Sequence, residues 1–225
     1  SVPNVVYSAI FKRPMQADYF LKDMAGDALG LLDVLNIDKA HLFGVSMGGM
    51  VAQEMAIHHP DRVLSLTSMM STTGNFELPR ARLRGFLALF RRPTFDRESF
   101  QAGFAQMVRR LSGSSYAIPE QLLFERAGEF WDRGIYLPGF LRQFAAIMGS
   151  QDRRPALAKL ELPTLIIHGD EDPLVRLEHG LETAASIPNA RLEIIKGLGH
   201  TLPPELREKL VDILQKHCLQ EVAMK

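Results

Sequence analysis

From Tyr19 to Leu35 apolar residues recur every three or four positions, at Leu21, Met24, Ala28, Leu31, Leu32 and Leu35. That spacing predicts an amphipathic helix with one face packed on a sheet, and Asp18 is placed to cap its amino end. Ala40-His41-Leu42-Phe43 and Val63-Leu64-Ser65-Leu66-Thr67 are short apolar runs, and between them Met50 to Ile57 is apolar at helical spacing. Two further runs, Pro163–His168 and Arg191–Ile195, flank a helix expected over about 176–187. Short strands that alternate with helices and are apolar on both faces predict a parallel sheet covered on each side. Val5–Phe11 also reads as a strand, ended by Lys12-Arg13-Pro14. Strand 5–11, helix 19–35 and strand 40–45 would form a right-handed βαβ unit, giving strand 40–45 a parallel neighbour. Pro203-Pro204 starts a last helix that buries Leu206, Leu210, Ile213 and Leu214.

Residues 75–155 break this alternation. They carry helical periodicity over about 80–92, 96–111, 119–132 and 139–150 and no convincing strand. The chain is therefore expected to be an α/β protein with a mostly parallel sheet. Residues 1–74 and 156–225 would form the core, and 75–155 an inserted helical lid. The insert holds 13 arginines, no lysine and 8 acidic residues, a formal charge of +5. In its first helix Leu83, Phe86, Leu87 and Phe90 share one face, and Arg80, Arg84 and Arg91 another. Such a helix can lie on a membrane. The simpler reading places its apolar face over a pocket and its arginines in water. Trp131 and the phenylalanines suit either an apolar pocket lining or ordinary core packing.

Composition adds little beyond exclusions. The 225 residues suit one domain with an insertion, and the 26 basic and 26 acidic residues point to neither nucleic acid nor a membrane. The single cysteine, Cys218, excludes an internal disulfide framework and fits a reducing, cytoplasmic compartment. No apolar run is long enough to span a bilayer, and the first residues carry no signal-peptide pattern.

The chemistry centres on Gly44-Val45-Ser46-Met47-Gly48-Gly49. A serine between glycines, where a strand turns sharply into a helix, reads as a nucleophile elbow. Glycines at 44 and 48 would keep Cβ atoms out of the crowded turn, and the Met47 N–H would point at a bound carbonyl. A serine hydroxyl needs a positioned base, and that base needs a carboxylate to orient it. Of seven histidines, only His200 follows the last strand in a glycine-rich loop, Gly197-Leu198-Gly199-His200. His168 lies inside a strand, and His41, His58, His59, His179 and His217 fall at strand or helix positions with structural explanations. Asp170, Glu171 and Asp172 all follow the strand before it. Ser46, these acids and His200 each follow a parallel strand, at the ends where active groups gather.

The run Ala40–Met50, the turn His168-Gly169-x-x-Asp172-Pro173 and the Gly199-His200 loop resemble the α/β-hydrolase fold family. Gly44–Met50, Ser68–Gly74 and His168–Leu174 are similar to bacterial carboxylesterases of the aclacinomycin-methylesterase and haloperoxidase-like group. The resemblance covers about residues 18–217. It implies Ser46 as nucleophile, His200 as base, Asp172 as the orienting acid and the Met47 N–H as an oxyanion donor. It also implies a small-molecule carboxylic ester, lactone or thioester as substrate, with no metal or organic cofactor. The same constellation supports perhydrolysis, with peroxide replacing water. A serine at the elbow argues against dehalogenases and epoxide hydrolases, which place an aspartate there.

The family normally begins with further strands, one of which ends in a His-Gly turn that donates a second oxyanion N–H. No His-Gly precedes Ser46, so the chain reads as an N-terminally shortened hydrolase. Losing one such donor costs about 10²–10³ in turnover. A non-catalytic, hydrolase-like protein is the alternative expectation. An uncovered elbow strand would also offer an edge for dimerisation.

Overall fold

A computed structural model describes residues 17–89 and 96–220. The strand expected over residues 5–11 lies outside them, as do Phe90 and Arg91. The described chain begins with α1 (Leu21–Val34), β1 (Ala40–Val45), α2 (Met47–His58) and β2 (Val63–Met69). Five helices follow: α3 (Leu83–Leu89), α4 (Arg97–Leu111), α5 (Glu120–Asp132), α6 (Leu137–Gly149) and α7 (Arg154–Leu157). The alternation then resumes with β3 (Thr164–Gly169), α8 (Leu177–Ser186), β4 (Arg191–Ile195) and α9 (Arg207–Gln220).

The four strands among the described residues are all parallel, in the order β1-β2-β3-β4. Their carboxyl ends therefore lie at one edge of the sheet. The register pairs Gly44 with Ser68, Met69 with Ile167, and Gly169 with Ile195. Successive side chains on β3 enter opposite layers. Leu165 and Ile167 pack with Met69, Met70, Ile195, Leu198, Leu206 and Leu210. Ile166 packs on the other face with Ala52, Ala56, Leu66, Leu157, Leu160 and Ile187. Each buried leucine or isoleucine contributes about 1.5–3 kcal/mol, which makes β2 and β3 the rigid centre of the molecule.

Two details of α1 differ from expectation. Its amino cap is Phe20, not Asp18, because the Asp23 carboxylate reaches back to accept the Phe20 N–H (2.8 Å). Asp18 instead pairs with Arg142 on α6 (3.2 Å). The expected apolar stripe is also only partly covered. Leu21 and Ala25 are buried, but Leu31 and Leu35 are 58% and 56% exposed, and Phe43 on β1 is 44% exposed. The cause is local: among the described residues β1 pairs on one edge only, with β2.

Among the described residues, the segment between β2 and β3 holds α3 to α7 and no strand. Helices α4 and α5 pack through Ala105, Val108 and Leu123, with Asp96 capping α4 by accepting the Ser99 N–H. Trp131 packs against Phe100, with ring centroids 5.5 Å apart and the ring planes tilted by 48°. That contact joins α4 to α5. On α3, Gly85 and Ala88 are buried while Leu83 and Leu87 are exposed, so the covered face is narrower than periodicity suggests. Among the described residues, no helix is long and apolar enough to cross a membrane.

Candidate active site

Ser46 occupies the turn between β1 and α2 with φ 55° and ψ −119°, a conformation few non-glycine residues adopt. Strain of this kind costs about 1–3 kcal/mol and persists only where neighbours enforce it. Here the Ser46 N–H donates to Met69 O (2.8 Å), and its carbonyl accepts the Gly49 (3.0 Å) and Met50 (3.2 Å) N–H groups. The glycine requirement is shifted by one position from the expected pair. A Cβ at Gly44 would overlap Gly48 O, and one at Gly49 would lie 2.8 Å from both Ser68 Oγ and Ser71 Cβ. Gly48 faces open space. In the first turn of α2, position 49 faces β2 and position 48 faces outward.

The structure brings Ser46, His200 and Asp172 into one row. His200 Nε2 lies 3.0 Å from Ser46 Oγ, and His200 Nδ1 lies 2.6 Å from Asp172 Oδ2. Asp172 is 2% exposed, and its Oδ1 accepts the Leu174 (2.8 Å) and Val175 (2.9 Å) N–H groups. Those bonds fix the carboxylate and leave Oδ2 for the imidazole. Met47 is the first residue of α2, so its N–H has no acceptor within the helix.

The other two acids of the turn have separate tasks. Asp170 Oδ1 accepts the Gly197 N–H (2.7 Å). Glu171 accepts both the N–H and the Oγ–H of Ser114, at 2.7 Å each. Those bonds hold its carboxyl below the ordinary glutamate range. His168 is fully buried, and its Nε2–H donates to Val175 O (2.8 Å), bracing the turn that carries Asp172. Burial pushes its pKa below the ordinary histidine range.

Beside Ser46 lies a cavity of about 430 Å³ lined mainly by Met50, Phe76, Phe86, Phe140, Phe144, Ile147 and Leu174. Asn75, Arg80, Gln143 and His179 add polar groups to its wall. A larger open groove, about 770 Å³, runs past Ile57, Pro60 and Leu162 at the amino ends of the strands, away from Ser46.

Residue-by-residue reading of the sequence gives His179 a structural place on a helix without its partners, and passes over Arg153. His179 bridges Thr72 Oγ1 (2.9 Å) and Pro79 O (3.1 Å), tying the loop after β2 to the start of the helical segment. Burial lowers its pKa as well. Arg153, 4% exposed, donates from Nε to Gln53 Oε1 (3.0 Å) and from a terminal nitrogen to Thr72 O (2.7 Å). Its other terminal nitrogen is 3.6 Å from Glu54. These partners lie from 81 to 107 residues apart in sequence, beyond the reach of any local motif. Of the remaining histidines, His41 bonds Ser65 Oγ (2.8 Å), His58 pairs with Glu54 (3.3 Å) and His59 caps α2.

Among relatives, the chain is 31% identical over 185 residues to the 2-hydroxy-6-oxononadienedioate/2-hydroxy-6-oxononatrienedioate hydrolase of Paraburkholderia xenovorans, covering 80% of this chain and 62% of that protein. It is 30% identical to the 2-hydroxymuconate semialdehyde hydrolase of a Pseudomonas species (strain CF600), covering 88% of this chain and 68% of the relative. The chain thus spans roughly three fifths to two thirds of these relatives' length. In fold it is similar to a meta-cleavage product hydrolase from Pseudomonas fluorescens IP01, with a TM-score of 0.70 at 23% identity, covering 92% of this chain and 75% of that one. The alpha/beta hydrolase fold profile matches residues 3–205, a span that takes in the elbow, the acid turn and the histidine loop. By that match the chain belongs to the alpha/beta hydrolase fold family.

Proposed function

We propose that the chain is a serine hydrolase acting on a small carboxylic ester, lactone or thioester. The observation that carries this reading is the hydrogen-bonded row from Ser46 Oγ through His200 to a buried Asp172, opening on an apolar cavity. Ser46 Oγ attacks the substrate carbonyl carbon while its proton passes to His200 Nε2. Asp172 holds the N–H on Nδ1 and stabilises the imidazolium, and the Met47 N–H donates to the developing oxyanion. The intermediate collapses, the bond to the leaving oxygen (sulfur in a thioester) breaks, and His200 protonates that atom. Water then attacks the acyl-Ser46 ester, gives its proton to His200, and the acid departs as Ser46 recovers its proton. The helical segment roofs the cavity, and the acyl group rests among Phe76, Phe86, Phe140 and Leu174.

A second reading rests on the relatives. Their names specify 2-hydroxy-6-oxo acids and a semialdehyde. Hydrolysis beside a ketone breaks a C–C bond, so His200 would protonate a carbon leaving group. Arg80 supports this reading: the residue lines the cavity, and no carboxylate among the described residues forms an ion pair with it.

The test compares p-nitrophenyl esters of increasing acyl length with a 2-hydroxy-6-oxo-dienoate, in the wild type and in Ser46→Ala. Ester turnover abolished by Ser46→Ala supports the first reading. Turnover of the dienoate alone supports the second. Folded wild-type protein that turns over neither, with or without peroxide, overturns both and leaves a non-catalytic member of the family.

A further inference from the structure

The loop that carries His200 is gripped from outside the sheet. The turn between α4 and α5, Leu111–Ser115, lies against it backbone to backbone. The His200 N–H donates to Leu111 O (2.7 Å), and the Ser115 N–H donates to Gly197 O (3.1 Å). This approach leaves no space for side chains. A Cβ at Gly113 would overlap Gly197 O, and a Cβ at Gly199 would overlap Leu111 O. Gly197 also sits at φ +68°, which suits glycine for a second reason.

The turn is itself anchored to the acid loop. Glu171 takes both polar hydrogens of Ser114, and the Glu171 N–H donates to Leu198 O (3.1 Å). Two paths therefore run from residues 171–172 to His200. Asp172 holds the imidazole directly. Glu171 holds Ser114, and through the turn the Leu111 carbonyl that receives the His200 backbone N–H.

We propose that Glu171 and the Leu111–Ser115 turn are positioning elements for His200, so the helical segment helps set the imidazole's place against Ser46 as well as roofing the cavity. The proposal rests on the reading of Ser46 and His200 given above. Glu171 touches neither substrate nor the reacting atoms. Its carboxylate sits where its loss removes one anchor of the turn without emptying the pocket or removing buried apolar surface. Catalysis is sensitive to small displacements of this kind, with about 10²-fold lost per 1 Å.

The test measures kcat and KM on a turned-over substrate for the wild type, Glu171→Ala, Glu171→Gln and Ser114→Ala. The rate of Ser46 labelling by a fluorophosphonate is read in parallel. Glu171→Ala should lower kcat and the labelling rate together, by roughly 10-fold or more, with KM within about twofold and Tm nearly unchanged. Glu171→Gln, which keeps one acceptor oxygen, should recover part of the loss. Ser114→Ala, which keeps the backbone N–H bond, should fall between wild type and Glu171→Ala, and it decides the matter if Glu171→Ala does not fold. Wild-type kcat in these variants overturns the proposal. A rise in KM alone also overturns it, because that places the effect in the pocket. Failure of the wild type to turn over substrate or to label overturns the underlying reading instead.

Discussion

Replacing Asp172 by asparagine tests the row at its most buried member. Asparagine keeps one carbonyl oxygen, and two donors compete for it: the pair of backbone N–H groups at Leu174 and Val175, now bound at 2.8 and 2.9 Å, and His200 Nδ1. Aiming the oxygen at His200 would break two backbone bonds, at about 1 kcal/mol each, and leave those donors facing an NH₂ group. The oxygen therefore stays with the backbone, and the NH₂ donates to His200 Nδ1. That bond selects the tautomer with its proton on Nε2, the nitrogen 3.0 Å from Ser46 Oγ. An Nε2–H can donate to the serine but cannot take its proton. The expected loss in kcat is about 10⁴-fold, or about 5 kcal/mol of barrier, with KM little changed. Stability should change little, because the turn bonds survive and a buried charge is removed. The assay is steady-state turnover of a p-nitrophenyl ester, with circular dichroism as the check on folding. A folded Asp172→Asn enzyme with kcat within tenfold of wild type would refute the role given to Asp172.

Stability should fall with acidity before any carboxylate titrates. His168 and His179 both have pKa values lowered mainly by burial, whereas an unfolded histidine titrates near about 6.5. Below that pH the unfolded chain takes up protons that the native state refuses, so stability is present above about 6.5 and is lost as pH falls. His168 alone contributes up to about 1.4 kcal/mol per pH unit, readable as a falling urea midpoint between pH 7.5 and 5.5 and a shallower fall in His168→Asn. Arg153→Met should destabilise by about 3–5 kcal/mol, because it strands Glu54, Gln53 and the Thr72 carbonyl, with a fall in Tm on the order of 10 °C that Arg153→Lys partly restores. Arg80→Gln should raise KM for carboxylate-bearing substrates by about tenfold, the scale of one charge-assisted hydrogen bond, and leave neutral esters unchanged.

What the sequence made legible is what it writes locally. The elbow, the acid turn and the histidine loop are each a few contiguous residues whose chemistry demands a particular backbone, and all three meet in the structure. The strand and helix alternation was readable for the same reason: β2 and β3 are buried on both faces, and their apolar runs say so. The sequence was silent where the deciding partner lies far along the chain. The tie from His179 to Thr72 and the approach of Arg153 to Gln53 depend on how β2, the helical segment and α8 come together. Periodicity showed that α1 has an apolar face but not what covers it, and Leu31 and Leu35 stand exposed. Gly48 and Gly49 cannot be told apart by a motif either, since only the direction in which α2 leaves the turn decides which faces β2. In sequence Glu171 is one of three acids that follow β3. Its bonds to Ser114 are a feature that only the folded turn reveals.

The most direct test of the central claim is labelling with a fluorophosphonate followed by peptide mass spectrometry. The account predicts one phosphonylated site, Ser46, in wild-type protein, and loss of that label in a folded His200→Ala variant. Absence of label at Ser46 in folded wild-type protein, or equal labelling without His200, would contradict it.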